Sequence, residues 1–174
     1  MRPPAAEVAF PGMVHATALI LGEFGLLLRG PSGAGKTTLA LMLIDQATAR
    51  GMFACLIGDD RVGLQSSGSR LVARPHPAIA GRIEKRWEGV EMAQYEPAGV
   101  IHAVVDIVDS GSQTLARLPD EADRRVRLGE IAVPRLALPA SIGPAAQTMR
   151  IFGLLLNLSE TNCIKSPILA LANS

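Results

Sequence analysis

The eight residues Gly30-Pro31-Ser32-Gly33-Ala34-Gly35-Lys36-Thr37 satisfy the pattern G-x-x-x-x-G-K-[ST] in full. Glycines at these spacings let the backbone turn tightly enough for successive N–H groups to point at one phosphate. The positive end of a helix starting at the loop adds to that attraction. Lys36 then reaches the β- and γ-phosphates, and the Thr37 hydroxyl is suited to Mg²⁺. Such a set binds a nucleoside triphosphate with Mg²⁺, ATP being the expected donor, and supports phosphoryl transfer. Binding does not by itself establish turnover, because P-loops also serve switches, motors and scaffolds.

Other residues offer what a transfer reaction needs next. Asp59 and Asp60 follow the short apolar run Phe53 to Ile57. If that run is a strand beside the one leading into the P-loop, its C-terminal end brings both carboxylates to the Mg²⁺ and the γ-phosphate. One can then bind the metal while its neighbour takes a proton from an attacking hydroxyl. Against this stands a solvated acidic turn. His15 opens an earlier apolar run and is brought beside the phosphates if a hairpin returns it there, although a lone histidine is more often structural. In the charged stretch Arg82-Ile83-Glu84-Lys85-Arg86-Trp87-Glu88-Gly89, the plain reading is a solvated helix face anchored by Trp87. The functional reading gives Glu84 to the Mg²⁺ shell and Lys85 or Arg86 to a phosphate.

These groups need a scaffold, and the apolar pattern supplies one. Val14 to Leu21 and Leu26 to Leu28, separated by Gly22-Glu23-Phe24-Gly25, read as a hairpin whose second strand feeds Arg29 and Gly30. From Lys36 to Ala49 the spacing of Leu39, Ala40, Leu43, Ile44 and Ala47 is helical. Phe53 to Ile57 and Gly99 to Val108 read as buried strands, and Gln65 to Gly81 as a turn-rich stretch. Pro119 to Arg127 reads as a charged surface segment. Pro134, Pro139 and Pro144 punctuate the region after it, and Ala145 to Leu158 is a helix with Met149, Phe152, Leu155 and Leu156 on one side. Strand, loop, helix, strand is the opening of an α/β fold.

Composition narrows the function. A chain of 174 residues with 48% hydrophobic content is one domain with a real core. With 17 basic and 16 acidic side chains the formal charge is +1, which gives no global field for nucleic acid or an anionic membrane. Apolar runs are too short to span a bilayer, and Met1 to Phe10 lacks the pattern of a secretory signal, so a cytoplasmic location is expected. Cys55 and Cys163 are far apart, without metal-site spacing, and are expected to be buried thiols.

Taken together, the His15 strand, Gly30 to Thr37, the Asp59-Asp60 pair and Glu84-x-Arg86-x-x-Gly89 resemble the catalytic domain of HPr kinase/phosphorylase, over roughly residues 13 to 108. That family phosphorylates a serine of the phosphocarrier HPr and can reverse the reaction. The resemblance implies an α/β, P-loop kinase-like single domain over residues 1–174, with a central mixed sheet and flanking helices. It also implies the short form that lacks an N-terminal domain. It gives His15 a functional role, puts Lys36 on phosphate and Thr37 and Glu84 on Mg²⁺, makes Asp60 the base for the seryl proton and has Asp59 assist. An HPr-type phosphocarrier is the implied partner and a hexameric homo-oligomer the implied assembly.

The chain also departs from the family. Thr38 stands where an acidic residue is usual, Asp45 to Leu56 lengthens the link to the Asp pair, and Trp87 and Glu88 replace a glycine and an aliphatic residue. Where an arginine-rich Pro-Gly loop is expected after Pro139, the chain reads Ala140-Ser141-Ile142-Gly143-Pro144, so phosphorylase activity is expected to be weak or absent. Two other functions remain open on the residues alone. One is a regulatory module that senses ATP without turnover. The other is a small-molecule kinase, which needs an arginine lid, for which Asp120 to Arg127 is the candidate.

Overall fold

The computed structural model describes residues 12–85, 87–109 and 120–164, the side chains of 162–164 excepted. Met1 to Phe10, Arg86 and the Cys163 side chain, on which expectations rest, lie outside the described residues.

The expected hairpin forms, with strands β1 (Gly12–Val14), β2 (Ala16–Leu21) and β3 (Phe24–Arg29) in its path. His15 breaks the first apolar run in two. β1 turns away to another partner, while β2 pairs antiparallel with β3 from Ala16↔Arg29 to Leu21↔Phe24. Helix α1 spans Lys36–Ala49, as its spacing predicts, and buries Leu39, Ala40, Leu43 and Ala47. Arg50 N–H closes its end on the Ala47 carbonyl at 3.0 Å. Truncating fully buried Leu43 to alanine costs about 2–5 kcal/mol.

Strand β4 (Ala54–Gly58) pairs with β2, not with β3. The expectation that the Asp-bearing strand lies next to the P-loop strand is therefore corrected, because β2 intervenes. Since β2 runs antiparallel to both neighbours, β4 still points the same way as β3, and both end at one edge of the sheet.

The stretch read as turn-rich contains a second hairpin, β5 (Val62–Ser67) and β6 (Arg70–Pro75), with the turn at Gly68. Its serines sit at the hairpin tip, and Val62, Leu64, Leu71 and Ala73 alternate inward. The charged run expected on a helix is instead the hairpin β7 (Arg82–Lys85) and β8 (Gly89–Met92), paired only with itself. Ile83 is buried, and Trp87 anchors nothing: it is 96% exposed at the turn.

Strand β9 (Gly99–Val108) holds the sheet together. One side pairs parallel with β3. The other pairs antiparallel with β6 over Gly99–Ile101 and parallel with β11 over Val104–Val108. β11 (Ile131–Pro139) occupies the proline-punctuated region, and its partner β10 (Arg125–Leu128) starts inside the charged segment before it, two places where the sequence predicts no strand. Pro134 is accommodated because β11 meets β9 only from Arg135 onward. In α2 (Gly143–Ile164) the buried face is Gln147, Thr148, Ile151 and Leu155, whereas Met149 and Leu156 are exposed, contrary to the expected stripe.

The sheet is mixed and has a core on each face. α1 and α2 pack with Leu19, Leu26, Leu28, Ala103 and Val105 on one side, while Ala18, Leu27, Val104 and the inward residues of β5, β6 and β10 form the other. Both helices lie on the same face, and curling strands cover the opposite one.

Candidate functional site

Three strands that run the same way, β3, β4 and β9, end at one edge, and β2 begins there. The P-loop leaves β3 at this edge and enters α1. Gly30 runs so close to β9 that an added Cβ would lie 2.7 Å from the Ile107 carbonyl oxygen. Gly35, at φ 89, caps the helix from a conformation that side chains resist, and it faces open space. Ser32, Gly33 and Gly35 are exposed, so the mouth of the loop is open to solvent.

Lys36 folds back over the loop, its Nζ donating to the carbonyl oxygens of Gly30 and Pro31 at 3.0 Å each. Burial pushes its ammonium below the ordinary lysine range, and the carboxylates of Asp59 and Asp60 offset part of that. The charge of Lys36 therefore already lies in the field of both acids.

Asp59 is buried. Thr37 Oγ1 donates to its carboxylate, 3.1 Å from Oδ2 and 3.3 Å from Oδ1, and Thr17 Oγ1 donates to Oδ1 at 2.6 Å. Thr17 was missed by sequence reasoning. Its signal was a lone hydroxyl on an apolar strand, between Ala16 and Ala18. A buried hydroxyl there needs an acceptor, and the only way to name the acceptor is to know the strand pairing.

Asp60 points the other way and is exposed. His15 Nε2 lies 3.0 Å from its Oδ1, with side chains 48% and 68% exposed. The Arg61 N–H donates to the Asp59 carbonyl at 2.7 Å, which closes a three-residue turn centred on Asp60, and Asp60 has φ 64. This is the rare γ-turn of positive φ, a strained conformation of the kind that persists where surrounding structure enforces it. The two adjacent acids thus part company: Asp59 faces the P-loop helix and Asp60 faces solvent and His15.

Glu84 is exposed on β7, a strand that packs beside α1. Among the described residues no three histidine, cysteine, aspartate or glutamate side chains converge as a metal group. The oxygen donors present, Asp59 and Thr37, fit Mg²⁺, which characteristically takes one or two protein ligands and completes its shell with water and substrate phosphates. The expected arginine-poor loop is at the same edge, since β11 ends there and leads through Ala140–Ile142 into α2. Arg135 does not reach into it but binds Asp106. Of the candidate lid, Asp120 to Arg127, the first part is a short 3₁₀ turn over Glu121–Arg124 and the rest is β10.

A second cluster lies just beneath the loop. Arg29 Nε and Nη2 donate to the two oxygens of Asp106 at 2.7 and 2.9 Å, and Arg135 Nε donates to Oδ2 at 2.5 Å. Burial raises the Asp106 carboxyl, but the two guanidiniums outweigh it and hold the group below the usual carboxylate range. Cys55 is buried, as expected, and burial pushes its thiol up.

The chain is similar to curated proteins named HPr kinase/phosphorylase. That of Mycoplasma mycoides is 28% identical over 142 residues, 74% of this chain and 42% of the relative. That of Chromobacterium violaceum is 28% identical over 151 residues, 80% of this chain and 45% of the relative. The chain thus spans less than half the length of these relatives. Among solved structures, the HPr(Ser) kinase/phosphatase of Coxiella burnetii superposes with a TM-score of 0.69 at 22% identity, covering 84% of this chain and 98% of that one. The α/β fold with its mixed sheet is therefore that of the expected class. No protein-family model matches the chain, and no helix among the described residues is long and apolar enough to cross a membrane.

Proposed function

We propose that this chain is an ATP- and Mg²⁺-dependent protein-serine kinase that phosphorylates an HPr-type phosphocarrier in the cytoplasm, in a regulatory role and as a homo-oligomer. The similarity to proteins named HPr kinase/phosphorylase supports the substrate class. The observation that carries the reading is the split of the acid pair at the mouth of the P-loop: Asp59 on Thr37, Asp60 beside His15.

The division of labour follows from position. The amides of Gly30 to Thr37 and the ammonium of Lys36 hold and orient phosphates. Lys36 can exchange the two loop carbonyls it binds for phosphate oxygens without moving its backbone. Bound Mg²⁺-ATP supplies the phosphoryl group and neutralises charge on its oxygens. Thr37 and Asp59 hold the metal side, and Glu84 joins that shell from β7, on the resemblance and on the packing of β7 beside α1. Asp60, exposed and turned to solvent, accepts the proton of the incoming seryl hydroxyl, and His15 orients its carboxylate. The segment Ala140 to Pro144, where the resemblance expects an arginine to assist attack by inorganic phosphate, holds none, so dephosphorylation is slow or absent.

The test is transfer of labelled γ-phosphate from Mg-ATP to purified HPr-type proteins, comparing wild type with Asp60→Asn and Lys36→Ala. Label on a serine of the carrier, reduced about 10³-fold in each variant, is expected. If ATP binds and no carrier acquires label, the kinase reading fails and the chain is a nucleotide sensor.

A further inference from the structure

We propose that Thr17 is a positioning residue for Asp59, and that an irregularity in the β2–β4 ladder is what sets one opposite the other. The inference rests on the kinase reading, in which Asp59 serves the metal side of the site.

The pairing supports it. β4 pairs with β2 through Leu21↔Ala54, Ile20↔Cys55 and Leu19↔Leu56, after which the register shifts and Ala18 faces Gly58. Ile57 is the extra residue. In a regular ladder Gly58 would stand opposite Thr17, and Asp59 opposite Ala16, whose side chain lies in the core away from the helices. With the extra residue, Asp59 comes opposite Thr17, on the face that Leu19 and Leu21 share with α1. A bulge of this kind re-aims one side chain by a full face, a recurrent device beside active sites.

The contact has the character of a fixed support. Thr17 is fully buried and its β-branched side chain has few rotamers, so its hydroxyl is held in place. It donates to Oδ1 at 2.6 Å, a length typical of a hydroxyl on a carboxylate. Oδ2, the oxygen nearer Thr37, is left turned toward the P-loop. Among the described residues the hydrogen-bond partners of this buried carboxylate are neutral hydroxyls, so Thr17 fixes its direction without neutralising the charge that a cation needs. Outer partners of metal ligands act in this way, and their loss typically weakens metal binding about 10–100-fold.

The experiment measures ATP affinity of the full chain by calorimetry, in Mg²⁺ and in EDTA, and reads the ratio. Wild type, Thr17→Val, Thr17→Ser and Asp59→Asn are compared, with the Thr17→Val/Asp59→Asn double variant. Thr17→Val is expected to lower the ratio about tenfold or more, Thr17→Ser to restore it to within about twofold, and the double variant to match Asp59→Asn alone. Thr17→Ala, which sets no second methyl against the carboxylate, is measured alongside and carries the same expectation if the valine variant does not fold. A wild-type ratio retained in Thr17→Val or Thr17→Ala overturns the positioning role and leaves the kinase reading standing. A wild type whose ATP affinity ignores Mg²⁺ overturns both.

Discussion

Asp59 and Asp106 are the same residue type, at the ends of parallel-running strands, on either side of one P-loop, and both are largely shielded from solvent. Their partners differ. Asp106 meets two guanidiniums, so its negative charge is more than compensated and it ties β3, β9 and β11 together beneath the loop. Asp59 meets two hydroxyls, which satisfy its oxygens and leave its charge. A closed ion cluster makes a fixed floor, whereas a carboxylate held by neutral donors is a place where a cation can act. Proximity to the P-loop therefore does not assign function to an acid. The charge of its partners does.

The sharpest test exchanges the two consequences. Asp59→Asn is expected to lower the phosphotransfer rate about 10³-fold, roughly 4 kcal/mol, while changing folding stability by less than about 1 kcal/mol. Label transfer and urea unfolding on the same preparation measure both. An Asp59→Asn protein that unfolds as readily as an Asp106→Asn protein would erase the distinction.

Asp106→Asn is expected to do the reverse, costing about 2–3 kcal/mol of stability because two partly buried arginines lose their counter-ion, and lowering Tm by roughly 5–10 °C. The pH dependence has a definite sign. Burial raises this carboxyl and the arginines lower it further than burial raises it, so the net shift is downward. A depressed carboxylate stabilises the fold above its unfolded pKa, about 3.9, and that contribution fades as pH falls through the lower folded value. The stability gap between wild type and Asp106→Asn should be constant at pH 7 and 5 and close only below about pH 4.

A third acid sharpens the comparison. Glu84 is exposed on β7, so its removal should leave Tm unchanged. If it completes the Mg²⁺ shell, Glu84→Gln raises the Mg²⁺ concentration for half-maximal transfer about tenfold, the effect of losing one outlying ligand. An unchanged Mg²⁺ curve would return Glu84 to the solvated surface.

How much of the molecule is legible in the sequence depends on how local each signal is. The P-loop, α1 and β9 depend on contiguous spacing, and the structure places them as read. The Arg82 to Gly89 run misleads because alternating charges fit a helix face and an isolated hairpin alike, and Gly89 at φ 104 with Trp87 at φ 74 marks the turn only once the backbone is known. β11 is hidden by Pro134, which suits a strand that pairs on one side only beyond that residue. Thr17 and the Arg29–Asp106–Arg135 clamp lie beyond reach for a different reason. Their partners are distant in sequence and are set by strand order, which propensity does not encode.

The smallest effect concerns Asp60, the counterpart of Asp59 that bears strain instead of burial. Its φ of 64 is a conformation that glycine adopts freely and aspartate only at some cost. Asp60→Gly releases that strain, about 1 kcal/mol, and gives back part of it through the greater freedom of glycine in the unfolded chain. The exposed contact with His15 adds little to either side. A net gain of about 0.5 kcal/mol is expected, a rise in Tm of about 1–2 °C, in a protein that no longer transfers phosphate. Asp60→Asn separates the two effects, because asparagine tolerates the same backbone but cannot take a proton: its Tm should match wild type while its activity is lost. A fall in Tm of more than about 2 °C in Asp60→Gly would mean that the side chain holds the turn, and the strained acid would then belong to the fold and not to the reaction.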